Sequence, residues 1–152
     1  EVSWDDVQQF IDKLNRQTGQ RYRLPTEAEW YAACQAGSRH EYCGSDSIDA
    51  VAWYRENSSD DGTHPVGQKQ ANAWGLYDML GNVGEWTADC WNPDHRGAPA
   101  QGLAREDGDC WLRAVRGGAW DDAPVGLRAA YRVGSPVVVR LYSRGFRVVR
   151  EE

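Results

Sequence analysis

The chain has 152 residues, of which 17 are Lys or Arg and 23 are Asp or Glu, so its formal net charge is −6. An acidic chain is a poor general binder of nucleic acid or of anionic lipid surfaces. The sequence contains no run of about 18 apolar residues, so we expect no membrane insertion. Its 8 Trp, 7 Tyr and 2 Phe argue against a disordered chain.

The first 40 residues predict two helices. Ser3 and Asp6 form an approximate capping box ahead of apolar residues at helical spacing, and Gly19 is a natural helix end. Thr26 and Glu29 form a second capping box, and the helix that follows is expected to end at Gly37.

After Gly37 the helical periodicity is lost, and turn-forming residues recur every few positions. Segments 113–120, 126–132 and 144–150 are predicted to be short strands. The sequence therefore predicts one α+β domain over residues 1–152, with two helices, short antiparallel strands and long loops. The Asp-rich segments 60–62 and 107–109 are typical of turns rather than of acid–base pairs.

The four cysteines are Cys34, Cys43, Cys90 and Cys110, and none forms a Cys-x-x-Cys motif of the zinc or redox type. Three pairings are open, of which local pairing, 34 with 43 and 90 with 110, is the simplest. Disulfides would favour an oxidising compartment, and hence an extracellular, cell-surface or periplasmic protein. The alternative is four buried thiols in a cytosolic protein.

Charge is distributed unevenly along the chain. Residues 41–110 hold 13 acidic and 4 basic residues, a net −9, whereas residues 111–152 hold 8 basic and 4 acidic residues, a net +4. Nearly all the basic residues are Arg, whose planar guanidinium pairs well with carboxylates and carbonyls. We therefore expect arginines paired with buried acids, and the alternative is a phosphate or sulfate site.

Four strings of residues carry a family resemblance: 21–30 (RYRLPTEAEW), 72–86 (NAWGLYDMLGNVGEW), 115–120 (VRGGAW) and 144–149 (RGFRVV). In this order they closely resemble the formylglycine-generating-enzyme, or sulfatase-modifying-factor, family and cover nearly the whole chain. The resemblance implies a divergent C-type-lectin-like fold. The family's N-terminal strands are not seen and the chain begins with Glu1, so we expect a trimmed or minimal version.

The resemblance also implies a calcium site at four positions: Asp78, Gly81, Val83 and Glu85. In the family, two side-chain oxygens and two backbone carbonyls hold the ion, and hard oxygen donors suit Ca²⁺. The alternative is that Asp78 and Glu85 pair with arginine or cap the loop. Family members often carry Trp where this chain has Gly84.

Active members of the family use copper and two cysteines that follow the Gly-Gly-Ser-Tyr-like string. Copper(I) needs soft thiolate ligands. Residues 111–152 contain no cysteine, and Asp121 and Asp122 lie in the corresponding neighbourhood. We therefore predict no catalytic residues, no bound copper and no formylglycine-generating activity.

The C-terminal segment resembles the variable proteins of diversity-generating retroelements, in which part of this fold is mutagenised at template adenines. Twelve residues between the family strings are of types that an AAC codon reaches by adenine changes alone. With Trp120 they form the predicted ligand-binding set: Trp120, Asp121, Asp122, Gly126, Tyr131, Val133, Gly134, Ser135, Val137, Val138, Leu141, Tyr142 and Ser143. Apolar and Tyr residues on an exposed loop suit a binding patch, and the alternative is an ordinary buried strand at residues 137–139.

The predicted function is ligand binding without catalysis, with a protein surface as the ligand. Sugar is a weaker prediction, because the Glu-Pro-Asn and Gln-Pro-Asp strings of calcium-dependent lectins are missing. The alternatives are an oxidoreductase or maturation factor of the formylglycine-generating type, or a sensor domain of a larger protein such as a kinase.

Overall fold

The computed structural model describes residues 1–58 and 62–152, so the turn predicted at Asp60 and Asp61 lies outside the described residues. The predicted α+β architecture is confirmed. The elements in chain order are α1 (Trp4–Thr18), β1 (Arg21–Arg23), α2 (Glu27–Gln35), α3 (Ile48–Val51), β2 (Ala52–Trp53), β3 (Leu80–Gly81), β4 (Gly84–Trp91), β5 (Asp109–Arg116), a 3-10 helix (Pro124–Leu127), β6 (Val133–Pro136), β7 (Arg144–Gly145) and β8 (Val149–Glu151).

Both predicted capping boxes form and set the starts of α1 and α2. The Ser3 hydroxyl accepts a hydrogen bond from the Asp6 N–H at 3.1 Å, and the Thr26 hydroxyl accepts from the Glu29 N–H at 3.1 Å. In each box the acid accepts from the N-cap N–H in return, which satisfies two free donors of the first turn. Gly19 ends α1 in the left-handed conformation, as predicted.

A four-stranded sheet in the order β6-β5-β4-β7 forms the centre of the domain. β5 pairs antiparallel with β4 and with β6. β7 lies parallel to β4, and β2 lies parallel to β3. The prediction that the strands are antiparallel is therefore wrong for these two pairs. Antiparallel pairing of β1 with β8 places Arg21 opposite Glu151 and joins the segment after α1 to the C-terminal strand.

Segments 113–120, 126–132 and 144–150 were predicted to be strands. They form strands only in part. The first segment leaves the sheet after Arg116, because Gly117 and Gly118 have φ of 93° and 66° and turn the chain. The second prediction is wrong, since that segment holds the end of the 3-10 helix and a loop. The third is interrupted between β7 and β8, and β4, which begins in the 72–86 string and continues to Trp91, was not predicted as a strand.

Two tryptophans centre the two hydrophobic clusters of the core. Trp30 of α2 is 1% exposed and packs with residues that include Met79 and Leu127. Trp86 of β4 is fully buried and packs against the apolar side of α1, which includes Val7. Large aromatic side chains thus supply much of the buried apolar surface in a chain of modest aliphatic content.

Two disulfides close local loops, and the predicted pairing is confirmed. Cys34 is bonded to Cys43, and Cys90 is bonded to Cys110. Such bonds persist in oxidising compartments, so they point to a location outside the cytoplasm. Among residues 1–58 and 62–152, no helix has the length and apolar character needed to cross a membrane.

Candidate functional site

Six of the predicted ligand-binding residues form two contact groups that meet at the adjacent residues Asp121 and Asp122. Tyr142 contacts Trp120 and Asp121, whereas Asp122, Tyr131 and Val133 line one small pocket. We call these six residues the aromatic face. The rings of Trp120 and Tyr142 lie 5.8 Å apart, and the Tyr142 hydroxyl donates to Asp121 Oδ2 at 3.0 Å. Tyr131 and Tyr142 are 43% and 56% exposed. The face therefore offers aromatic rings and carboxylates to solvent side by side.

Backbone contacts fix the turn that carries the two aspartates of the face. The Arg55 side chain donates from Nε to the Asp121 carbonyl at 2.9 Å, and the Arg55 N–H donates to the Asp122 carbonyl at 3.1 Å. Asp122 Oδ2 accepts from the Ala119 N–H at 2.9 Å. A surface already held in one conformation loses less entropy when it binds.

A pocket of about 90 Å³ opens within the aromatic face, and its lining is Val115, Gly118, Asp122, Tyr131, Val133 and Arg144. Burial lowers the pKa of the Arg144 guanidinium, while the charges of Asp122 and Asp121 act in the opposite direction. The Arg144 Nε–H has no hydrogen-bond partner among the described residues. The pocket thus places a carboxylate and a guanidinium beside apolar walls.

Gly84 makes room for this arginine. A Cβ at Gly84 would lie 2.8 Å from Arg144 Nη1 and 3.1 Å from Val115 Cγ1. The absence of a side chain at Gly84 therefore leaves space for a guanidinium that lines the pocket of the aromatic face.

Five other residues of the predicted set pack against the scaffold. Four are buried, namely Gly126, Ser135, Val137 and Ser143, and Gly134 is half-buried. A Cβ at Gly134 would lie 2.7 Å from the ring of Trp91, so the strand packs directly on that indole. The Val137 carbonyl accepts from the Trp4 N–H at 3.0 Å, which ties this segment to the start of α1. These residues position the face rather than present a surface to a ligand.

Val138 and Leu141 lie on the loop after β6. Val138 is 49% exposed, whereas Leu141 is half-buried. Arg140 pins this loop to α1 through two hydrogen bonds to the Asp6 carboxylate, at 2.6 and 2.7 Å. Of the apolar and aromatic residues of the 136–142 loop, Val138 and Tyr142 are the two that are exposed.

The predicted calcium residues surround an ion pair. Both oxygens of Glu85 accept hydrogen bonds from Arg147 at 2.6 Å, and Oε2 also accepts from the Trp30 indole at 2.7 Å. Asp78 Oδ2 accepts from the Gly67 N–H. Among the described ranges 1–58 and 62–152, no three His, Cys, Asp or Glu side chains form a metal-binding group.

As arranged, these donors do not fit a calcium ion, because the guanidinium already neutralises the one buried carboxylate of the set. The geometry is that of the alternative interpretation, in which Glu85 pairs with arginine. Calcium binding at Asp78, Gly81, Val83 and Glu85 stays a prediction of the resemblance, and it requires displacement of Arg147.

A second set of buried charges, missed from the sequence, lies between α2 and the central sheet. We call it the charge centre: Glu27, Asp89, Arg116 and Arg132. Arg116 is 2% exposed and donates to Glu27 Oε1 at 2.8 Å, and Arg132 forms a two-pronged ion pair with the same carboxylate. Burial raises the pKa of Glu27, but its bonds to Arg132 and Arg116 lower it more, so the net shift is downward.

Asp89 completes the charge centre as an acceptor for backbone donors. Its Oδ2 accepts from the Glu27 N–H at 2.7 Å, and its Oδ1 accepts from the Arg105 N–H at 3.0 Å. Burial raises the pKa of this carboxyl. The sequence signal for the centre was the abundance of Arg, and the predicted pairing of arginines with buried acids is confirmed.

Comparison with known proteins identifies the family. The model of the sulfatase-modifying factor enzyme 1-like domain matches residues 1–152. The chain belongs to this family, as the four strings predicted.

Curated relatives include proteins of several kinds. The chain is 37% identical over 114 residues to chaperone protein LppX of Paenibacillus barcinonensis, which covers 62% of this chain and 40% of LppX. It is 38% identical over 113 residues to serine/threonine-protein kinase pkn1 of Chlamydia caviae, covering 72% of this chain and 18% of the kinase. It is 41% identical over 87 residues to the formylglycine-generating enzyme of Mycobacterium tuberculosis, covering 49% of this chain and 29% of the enzyme. The chain thus spans well under half the length of each.

Two solved structures share the fold. PvdO from Pseudomonas aeruginosa superposes with a TM-score of 0.92 at 37% identity, over 99% of this chain and 60% of PvdO. Treponema denticola variable protein 1 superposes with a TM-score of 0.89 at 26% identity, over 97% of this chain and 68% of that protein. The predicted fold of the formylglycine-generating-enzyme type is confirmed.

Proposed function

We propose that this domain is a non-catalytic binding module whose aromatic face binds a protein surface. The observation that carries the proposal is the grouping of Trp120, Tyr131 and Tyr142 with two carboxylates on a turn held by Arg55. Tyr and Trp supply large contact areas with few rotatable bonds, and neighbouring polar groups supply hydrogen bonds. Aromatic residues around a small pocket are also typical of the energetic centre of an interface.

The state of the cysteines supports the absence of formylglycine-generating chemistry. All four cysteines of the chain are in disulfides. Segment 111–152 has no cysteine, and its Asp122 accepts a hydrogen bond from the Ala119 N–H within a turn. Copper(I) prefers thiolate ligands, which these residues do not supply. Addition of copper and a sulfatase-derived cysteine peptide is expected to give no aldehyde, and aldehyde formation by mass spectrometry would support the alternative enzyme function.

The likeness to a variable protein supports diversification of this face by a retroelement. Six of the thirteen predicted residues lie on the aromatic face, whereas four others are buried and Gly134 is half-buried against the Trp91 ring. We therefore propose that diversification is useful at the exposed positions and is constrained at the buried ones. A near-copy of the segment with adenines at the variable codons, beside a reverse transcriptase gene, is the expected genomic sign.

The proposed setting is extracellular, on the cell surface or periplasmic, where disulfides are stable. The proposed partner is a protein, with no nucleic acid and no membrane insertion. A sensor domain within a longer protein is a second candidate, which the match to 18% of a kinase favours. The full-length gene distinguishes the two.

Two display libraries test the binding proposal. The first diversifies the six residues of the aromatic face, and the control diversifies six exposed residues of α1: Gln9, Phe10, Asp12, Lys13, Arg16 and Gln17. Selection against hen lysozyme as a model protein surface is expected to enrich binders from the first library and none from the control. Equal enrichment from both, or none from the first, would contradict the proposal.

A further inference from the structure

A cavity of about 430 Å³ lies on the other side of segment 129–132 from the aromatic face. Its lining comes from α2, from the 95–105 loop and from the charge centre: Glu27, Ala28, Tyr31, Asp89, His95, Ala98, Pro99, Leu103, Arg105, Arg116, Ala130 and Arg132. Tyr131, between two lining residues, contributes instead to the small pocket of the face. The cavity is therefore a separate site that shares a wall with the proposed binding surface.

The loop that forms the outer wall is held in place by covalent and polar contacts. It lies within the segment closed by the Cys90–Cys110 disulfide. The Thr26 hydroxyl donates to the Gly102 carbonyl at 2.8 Å, and Arg105 Nη1 donates to the Asp94 carbonyl at 3.1 Å. The cavity is thus pre-formed, as small-molecule sites generally are.

The charges on the floor of the cavity are used inside the protein. Glu27 pairs with Arg116 and Arg132, and Asp89 accepts from two backbone N–H groups. Arg105, which also lines the cavity, pairs with Asp107 at 2.8 Å, so the three carboxylates and the three guanidinium groups sum to zero. A charged ligand would lose hydration without gaining a counter-charge, so the floor selects against both signs.

The walls are mainly apolar, from the ring of Tyr31 and from Ala98, Pro99, Leu103 and Ala130. The exposed fractions of Tyr31 and Leu103 are 42% and 64%, which places them toward the mouth. The volume lies within the range of about 300–1,000 Å³ that is typical of small-molecule sites. We propose that this cavity binds a neutral, largely apolar small molecule.

Three probes with one ring system test the proposal: 1-naphthol, 1-naphthoate and 1-naphthylmethylammonium, titrated calorimetrically into the wild-type protein. We expect measurable binding of the neutral naphthol and at least about tenfold weaker binding of both ions. Tighter binding of the anion would overturn the proposal in favour of an anion site at the arginines, and no binding of naphthol up to its solubility would also overturn it.

Two variants of the same loop locate the site. Ala98→Trp fills the cavity, whereas Ala100→Trp adds the same side chain at an exposed position outside the lining. Ala98→Trp is expected to weaken naphthol binding about tenfold or more, and Ala100→Trp to change it less than about twofold. Equal affinities in the two variants would show that naphthol binds elsewhere. Leu103→Ala, which removes exposed apolar wall, is expected to weaken naphthol binding without change in melting temperature.

Discussion

The charge centre buries its polar side chains, whereas the aromatic face keeps aromatic and polar side chains partly exposed. In the charge centre, Glu27 and Arg116 are 5% and 2% exposed, and each charge is satisfied by another residue of the chain. On the face, Tyr142 is 56% exposed and contacts Asp121 and Trp120 without becoming buried. The first arrangement fixes where α2 lies on the sheet, and the second leaves side chains available to a partner.

This difference indicates at which positions the chain tolerates substitution. Removal of a partner from a buried ion pair leaves an uncompensated charge, which is costly. Replacement of an exposed side chain mainly changes contact with solvent. A scaffold of buried ion pairs therefore supports diversification of an exposed face. We call this contrast the division between fixed scaffold and variable face.

The largest expected effect comes from Glu27→Gln. Two buried guanidinium groups would lose their counter-charge, so the free energy of unfolding is expected to fall by about 3–5 kcal/mol. Urea denaturation followed by tryptophan fluorescence measures it. Glu41→Gln is the matched control, because Glu41 pairs with Arg128 at 2.9 Å on the surface, with about half of each side chain exposed. Its expected effect is about 0–1 kcal/mol, and similar losses in both variants would contradict the division.

The same residue predicts a dependence on pH. Its folded-state pKa is lowered, so its ionisation contributes stability above about 4.3, the ordinary pKa of Glu, and that stability is lost as the pH falls. Asp89, whose pKa burial raises, acts in the opposite sense, with a stability contribution that is lost as the pH rises. We expect the wild type to lose more stability between pH 5 and about 3 than Glu27→Gln does. Parallel curves of melting temperature against pH would argue against this role of Glu27.

The Cys90–Cys110 disulfide tests whether stability of the scaffold can change without a change in binding at the aromatic face. Its sequence separation is 20 residues, and loss of such a cross-link is expected to cost about 3 kcal/mol. The Cys90→Ser/Cys110→Ser double variant should therefore unfold at lower urea, while a binder selected on the aromatic face keeps its affinity after folding. Loss of that affinity in the folded variant would show that the two regions are coupled.

Gly134 and Val138 test the division within the predicted ligand-binding set. Gly134→Ala would push a methyl group into the Trp91 ring and is expected to cost about 1–3 kcal/mol. Val138→Ala removes a half-exposed side chain and is expected to change the unfolding free energy by less than about 0.5 kcal/mol. Equal effects in chemical denaturation would mean that packing against the scaffold does not separate variable from fixed positions.

The smallest expected effect is that of calcium. Because Arg147 already neutralises Glu85, millimolar calcium is expected to leave the melting temperature equal to that in EDTA. A calcium-dependent rise would mean that the ion displaces the guanidinium, and it would establish the site that the family resemblance predicts.

The sequence predicted the parts of the domain that local chemistry decides. Both capping boxes and the Gly19 helix end follow from short spacing along the chain, and the disulfides form the simplest of the three pairings that the sequence left open. The long-range contacts were less visible: Arg147 meets Glu85 across 62 positions, and Arg132 meets Glu27 across 105. An apolar run such as 136–142 also does not show which of its side chains face the core, because Val137 is buried and Val138 is exposed.

Sequencing of this gene and its flanking DNA from many isolates tests the central proposal most directly. We expect amino-acid differences to concentrate at Asp121, Asp122, Tyr131, Val133 and Tyr142, with Gly134 unchanged and a near-copy of the segment nearby. Differences spread evenly over buried and exposed positions, with no near-copy and no reverse transcriptase gene, would contradict the account of a diversified binding face.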